Sequence, residues 1–247
     1  MSANAPKVRG RLAGLPSLKG LSMLYLPVLA LLFVSVIAAR ALHIPAASLT
    51  RDMAALAHVH PLIGVVSNVG ILLWCATAAI CLFSRNLLRR QGRHVEARFL
   101  LWAGVLTIVL LLDDLFMIHE YIAPVHFHVN EKVILACHAC GAAAYLLSQR
   151  RLILAENYQL LVAAMLLFAG SVLVDISDGH GWLANLAEDG FKILGIASWL
   201  GYHAGKARHW LIEAPPVRPS APASGDEARQ PAAFDRPLAS ATSLSRP

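Results

Sequence analysis

The chain has little charge: Asp, Glu, Lys and Arg make up 15% of its 247 residues, whereas 57% are hydrophobic. Soluble globular domains carry about 25% charged residues. Cysteine is also scarce, and all four cysteines lie in apolar stretches, which argues against a disulfide-stabilised secreted domain. The composition makes an ordinary soluble domain the poorer explanation and favours a membrane protein.

The formal net charge is +6, with a pI of about 9.4. In a soluble protein this excess would suggest a nucleic-acid partner. Here the basic residues flank apolar stretches instead of forming one basic face, which is typical of membrane topology. We therefore expect the lipid bilayer as the partner, and no nucleic acid.

Six apolar stretches are long enough to cross a bilayer, which takes roughly 20 mainly apolar residues. None alternates with period two, so they are predicted to be helices and not barrel strands. The sixth stretch is the weakest, because Glu188, Asp189 and Lys192 lie in its first turns. The predicted fold is an all-α membrane helix bundle with spans near residues 22–42, 62–84, 98–118, 130–148, 158–176 and 187–205.

The distribution of Lys and Arg predicts the orientation of these helices. Thirteen such residues in the loops and flanking segments fall on one side, and Arg40, Arg51 and Lys132 fall on the other. Since basic loops stay in the cytoplasm, both termini are predicted to be cytoplasmic, in a multi-pass protein of the bacterial inner membrane. The first stretch follows a basic segment and also fits a cleaved signal peptide.

Three regions follow from this topology. Residues 1–21 are a basic cytoplasmic N-terminus, and residues 22–213 form the transmembrane domain. Residues 214–247, rich in Pro, Ala and Ser, are predicted to be a disordered cytoplasmic tail. A short interfacial helix started by Thr50 is expected between the first two spans.

Acids and histidines concentrate on the outer side, which holds nine of the fifteen acids and eight of the eleven histidines. Topology rules do not explain this enrichment, because Asp and Glu affect orientation only weakly. Ionisable groups inside membrane helices are costly, face the bundle interior and mark functional sites. The pattern therefore predicts a polar layer near the outer face.

The densest segment of this layer ends the third span. Asp113 and Glu120 are seven residues apart and share a face of an ideal helix, whereas Asp114 and His119 diverge from them. We expect Asp113 and Glu120 to act together, with His119 contributing if the helix ends or kinks there. Solvated helix-end residues are the alternative interpretation of His119 and Glu120.

The fifth and sixth spans bring further charges to the same level. Asp175 and Asp178 are three residues apart at the end of the fifth span. Glu188 and Lys192 are four apart at the start of the sixth, a favourable spacing for an ion pair. Lys192 needs a partner, for which Glu188 or an aspartate of the third or fifth span is expected.

His138 lies two turns into the fourth span, where it could be a metal ligand, a proton relay or a hydrogen-bonded core residue. Carboxylate and imidazole groups in one layer suit a divalent metal such as zinc, iron or manganese, which would activate water. The predicted catalytic residues are Asp113, Asp114, Glu120, Asp175 and Lys192. The predicted metal ligands are His119, His138, Asp178 and Glu188.

Two segments, Leu112–Glu120 (LDDLFMIHE) and Glu188–Gly195 (EDGFKILG), resemble motifs of uncharacterised multi-pass bacterial membrane proteins. Residues 112–117 are also faintly similar to the Asp-Glu-Leu-Pro-Met segment of alkaline ceramidases, membrane hydrolases with an intramembrane zinc site. The resemblance implies Asp113 or Asp114 as an active-site acid. Those enzymes have a His-x-x-x-His pair in the last helix, whereas this chain has His203 and His209.

Three functions fit this pattern. One is a metal-assisted membrane hydrolase that acts on a lipid or another amphiphile. Another is a binding, sensing or assembly protein whose charges form a structural ion-pair network. The last is a proton-coupled transporter, for which His203 is the main candidate group in the inner half.

Overall fold

The computed structural model describes residues 18–41, 43–49, 51–177 and 181–213. Every regular element in these ranges is helical, which confirms the all-α prediction. The eight α-helices are α1 (Leu18–Ala41), α2 (Met53–Ala57), α3 (Val65–Arg90), α4 (His94–Phe116), α5 (Ala123–Phe127), α6 (Glu131–Leu154), α7 (Gln159–Ile176) and α8 (Trp182–Arg208). A 3₁₀ turn at Ala46–Leu49 and π-helical turns at Ile118–Ile122 and His209–Glu213 complete the described elements.

The chain divides into two compact units, residues 1–68 and 69–247, with the boundary in the first turn of α3. The first unit contains α1, the 3₁₀ turn and α2. Asp52 caps α2, because its carboxylate accepts hydrogen bonds from the backbone N–H groups of Ala54 and Ala55. The predicted interfacial helix therefore begins at Met53 and not at Thr50, which lies outside the described residues. The predicted disordered tail and most of the basic N-terminus also lie outside them.

Three of the described helices, α3, α4 and α7, are long and apolar enough to cross a membrane. A shorter apolar stretch of α1 runs from Tyr25 to Ala41. Large apolar side chains cover the outside of these helices, including Leu72, Phe83, Leu166 and Leu173, each about two-thirds exposed. A surface of this kind is stable in lipid and not in water, so the chain is a membrane protein.

Aromatic side chains from four helices form the centre of the second unit. Trp199 of α8 packs at a ring-centroid distance of 5.8 Å from Tyr145 of α6 and 6.4 Å from Trp74 of α3. Phe99 of α4 packs against Tyr145 and, at 5.2 Å, against Trp210. All five rings are buried. This cluster fixes α3, α4, α6 and α8 relative to one another.

Glycine allows α7 and α8 to approach closely. A Cβ atom placed on Gly195 would lie 2.7 Å from Cε1 of the Phe168 ring, which is too close for any real side chain. Small residues at helix interfaces permit this kind of packing in membranes, where dispersion forces drive association. The contact aligns the first turns of α8, which carry Lys192, with the end of α7.

Candidate functional site

The site begins where α4 ends. Met117 adopts a left-handed conformation, with φ of 49°, and its N–H donates to the carbonyl oxygen of Asp113. The π-helical turn Ile118–Ile122 then changes the direction of the chain. The predicted third span reached residue 118, but the helix ends at Phe116. A shared helical face for Asp113 and Glu120 therefore does not exist, because the two residues are not on one continuous helix.

The turn brings His119 back onto Asp113. The backbone N–H of His119 donates to Oδ1 of Asp113 at 3.0 Å, and the imidazole Nδ1 lies 2.5 Å from Oδ2. Both side chains are buried. Burial alone lowers the pKa of His119, but the hydrogen bond and the charge of Asp113 outweigh it and raise that pKa above the usual histidine value. Asp113 thus fixes the position of His119 and favours its protonated form.

His138 of α6 completes this part of the site. Its Nδ1 atom lies 3.7 Å from the same Oδ2 atom of Asp113, beyond hydrogen-bond distance but close enough for charge attraction. Asp113 therefore lies between two imidazoles, one from the turn after α4 and one from α6. The sequence placed Asp113 and His138 in one layer and included His119 only if the helix ended or kinked there, and the structure brings all three together.

Asp114 has separate partners. Its Oδ1 atom lies 2.8 Å from Nζ of Lys192 in α8, and its Oδ2 atom accepts a hydrogen bond of 2.9 Å from the indole of Trp74 in α3. Of the partners predicted for Lys192, which were Glu188 or an aspartate of the third or fifth span, the structure shows an aspartate of the third. Trp74 was not among the predicted site residues, although a buried indole N–H normally requires an acceptor. We call Trp74, Asp113, Asp114, His119, His138 and Lys192 the carboxylate–histidine cluster.

Further acids lie beside the cluster. Glu120 is exposed, and its Oε1 atom lies 3.4 Å from Nε2 of His119. Glu188 is half-buried and lies within the electrostatic influence of Asp175, Asp189, Lys192 and Glu120. Asp175 itself is exposed at the end of α7. These carboxylates make the solvent-facing side of the cluster acidic.

The predicted metal ligands are only partly brought together. His119 and His138 both approach Asp113, whereas Glu188 lies among the acids of α7 and α8. Within the described ranges, no three His, Cys, Asp or Glu side chains form a group that could hold a metal ion. Asp178 lies outside the described residues.

A second buried polar group occupies the aromatic centre. His203 is fully buried; its Nδ1 donates to the carbonyl oxygen of Trp199 at 2.8 Å, and its Nε2 accepts from the Tyr145 hydroxyl at 3.0 Å. Because a carbonyl oxygen can only accept, Nδ1 carries a proton, and the neutral ring can then accept the Tyr145 hydroxyl on Nε2. Trp199 in turn donates to the Thr107 hydroxyl at 3.0 Å. The helices therefore hold more polar groups along their length than the sequence suggested.

The opposite end of the unit has its own charge network, whose members were not among the predicted site residues. Lys206 is buried and pairs with Glu156 at 2.6 Å. The Trp210 indole also donates to Glu156, and the Trp210 carbonyl oxygen accepts from Arg93 at 2.6 Å. Burial alone raises the pKa of Glu156, but its bonds to Lys206 and Trp210 lower it overall.

The fold and the cluster define an all-α membrane protein with buried, mutually paired acidic and basic side chains at one end of its helices. Residues 25–205 match the model of a domain of unknown function, DUF8692, so the chain belongs to that family. No curated protein and no solved structure matches the chain.

Proposed function

We propose that the chain is a multi-pass protein of the bacterial inner membrane with six spans and both termini in the cytoplasm. Six described helices have 18 residues or more, and they overlap the six apolar stretches of the sequence. The concentration of Lys and Arg on one side supports the orientation. The carboxylate–histidine cluster then lies near the outer face.

We further propose that this cluster is the acid–base centre of a membrane hydrolase that acts on a lipid-like substrate. The observation that carries the proposal is the bond between Asp113 and His119. A carboxylate that accepts from Nδ1 leaves Nε2 with a lone pair, which is the arrangement of a histidine general base. The similarity of residues 112–117 to the alkaline ceramidase segment points in the same direction.

The chemistry follows from the positions of three groups. His119 would take a proton from water through Nε2 while the water oxygen attacks an ester or amide carbonyl carbon. Asp113 would stabilise the imidazolium that forms, and the same proton would pass to the leaving alcohol or amine. Lys192, whose charge acts on His119, would stabilise the anionic intermediate.

A divalent metal is the alternative means of activating the water. Zinc, iron or manganese at His119 and His138 would require a further ligand, for which Asp178 and Glu188 are the predicted residues. Elemental analysis of the purified protein tests this form of the proposal. If wild type holds a stoichiometric metal and His138→Ala loses it, the metal and not His119 would be the group that activates water.

The direct test uses protein in nanodiscs and a panel of fluorogenic ester-linked and amide-linked lipids. Asp113→Asn and His119→Gln should each lower the rate at least about 100-fold, because a positioned general base contributes that much. Glu131→Gln, which removes an acid from the first turn of α6, is the matched control and should retain the rate. Wild-type protein that hydrolyses no lipid, or an Asp113→Asn variant with unchanged rate, would refute the hydrolase.

A structural or binding role is the second candidate, because the charges of the cluster are already paired. Asp114 uses both of its oxygens on Trp74 and Lys192. In that case Asp113→Asn and His119→Gln would lower stability or partner binding, and wild type would show no hydrolysis.

Proton-coupled transport is favoured by the buried pair of His203 and Tyr145. It would appear as substrate-driven proton uptake that His203→Phe abolishes.

A further inference from the structure

An elongated groove of about 890 Å³ lies between α4 and α6. Gly141 and Ala144 of α6 leave the space open, and Trp102, Val105 and Val109 of α4 form its other wall. A Cβ atom on Gly141 would lie 3.7 Å from Cδ1 of Leu106, an ordinary van der Waals contact, so the wall of the groove accepts a side chain here without a clash. We call this feature the α4–α6 groove.

The shape of the groove suits a hydrocarbon chain. Its wall on α4 runs from Val95 to Val109, a helical length of about 21 Å. The hydrocarbon core of a bilayer is about 30 Å thick, so the groove covers most of the distance across it. A narrow apolar channel parallel to the helices fits an extended acyl chain better than a compact polar ligand.

The two ends of the groove differ in charge. Arg98 of α4 and Arg151 of α6 line the end at which α4 begins, together with Ser148 and Gln149. Both arginines are exposed, and neither has an ion-pair partner in the part of the chain that the structure describes. A guanidinium group binds phosphate with paired hydrogen bonds, and two of them would hold one phosphate firmly. His138 lies at the other end, where it approaches Asp113.

We propose that the α4–α6 groove binds an anionic phospholipid, with one acyl chain between the helices and the phosphate held by Arg98 and Arg151. With the proposed orientation, the lipid belongs to the cytoplasmic leaflet, which carries anionic headgroups. The site does not depend on the proposed hydrolase, since the arginines lie at the opposite end of α4 from Asp113. Zwitterionic lipids carry the same phosphate but also a cationic ammonium group, which the two arginines would repel, so the site should favour lipids with a net negative headgroup.

Native mass spectrometry of the detergent-purified protein tests the site with phosphatidylglycerol and phosphatidylcholine of the same chain length. Wild type should prefer phosphatidylglycerol by roughly thirtyfold, the effect expected if each of two arginines favours a lipid of net negative charge by about 1 kcal/mol. Arg98→Gln/Arg151→Gln should bind both lipids equally. The control Arg89→Gln/Arg90→Gln removes the same charge from exposed positions at the end of α3, outside the groove, and should keep the preference.

A second variant tests the chain-binding part. Gly141→Leu places a side chain in the groove and should lower the binding of both lipids. The thermal midpoint of the variant, which should stay close to that of wild type, is the control for folding. Equal binding of the two lipids by wild type, or the same loss in the control pair, would mean diffuse surface attraction and would overturn the site. A wild-type dimer that Gly141→Leu converts to monomers would overturn it too, because the groove would then hold a second copy of the chain.

Discussion

His119 binds Asp113 twice, through its backbone N–H at 3.0 Å and through its imidazole at 2.5 Å, and the left-handed Met117 between them makes both bonds possible. A continuous helix would point His119 away from Asp113. Six residues correspond to a rotation of about 600°, which is far from a whole number of turns, so the two side chains would lie on different faces. The end of α4 is therefore what assembles this part of the site.

The conformation of Met117 gives the first prediction. Met117→Gly should be more stable than Met117→Ala by about 1 kcal/mol, because only glycine adopts positive φ without a steric cost from Cβ. The two variants lose the same packing of the methionine side chain, so their difference isolates the backbone. Chemical unfolding in detergent micelles measures it, and equal stabilities would contradict the left-handed turn.

The raised pKa of His119 gives a pH dependence. Its stabilising charge interaction with Asp113 should be fully present below the usual histidine pKa and should be lost as the pH rises through the raised pKa. The thermal midpoint of wild type should therefore fall across that range, and His119→Gln should show a smaller fall. In the proposed hydrolase the rate should change oppositely and increase with pH, because the general base must be neutral. A rate profile that does not shift in Asp113→Asn would contradict the pairing.

The pair of Asp114 and Lys192 distinguishes stability from chemistry. Lys192→Met should cost about 2 kcal/mol, between the values for exposed and buried pairs, since Lys192 remains about a third exposed. The double variant Asp114→Asn/Lys192→Met should recover most of that stability, because no unpaired charge remains. A thermodynamic cycle of the four proteins measures the coupling. Recovery of stability without activity would identify Lys192 as a participant in the reaction, whereas recovery of both would favour the structural network.

The sequence predicted the charged layer but not how its members pair. Period, length and hydropathy were sufficient to place Asp113, His138 and Lys192 at one level of the helices. They were not sufficient to find the end of α4 at Phe116, because Met117 is an ordinary helix former and nothing in its identity signals a left-handed turn. The network of Lys206 and Glu156 was missed for a similar reason. Glu156 lies in a short connection, and only tertiary packing places it beside a helix that begins 26 residues later.

Glu156 and Lys206 give a further test, at the opposite end from the cluster. Glu156→Gln should lower the free energy of unfolding by about 2 kcal/mol, because it leaves the buried Lys206 without a carboxylate. Since the pKa of Glu156 is lowered, its contribution is present above the usual glutamate pKa and is lost as the pH falls through the lowered value. Wild type should therefore lose stability in acid, and Glu156→Gln should lose less. Glu131→Gln serves as the control and should follow wild type. An acid profile of Glu156→Gln that matches wild type would contradict the pair.

Replacing glycine by alanine should have opposite effects on stability at two positions of α8. Gly195→Ala should destabilise the protein by about 1–3 kcal/mol, because the new Cβ would lie 2.7 Å from the Phe168 ring and α7 and α8 would have to separate. Gly190→Ala meets no atom within 4 Å and should instead stabilise the helix by about 0.5–1 kcal/mol. Phe168→Leu should relieve the clash and make Gly195→Ala less harmful. Unfolding in a detergent series compares wild type with Gly195→Ala, Gly190→Ala, Phe168→Leu and the double variant Phe168→Leu/Gly195→Ala. If the two alanine variants change stability in the same direction, α7 and α8 do not pack as closely as described.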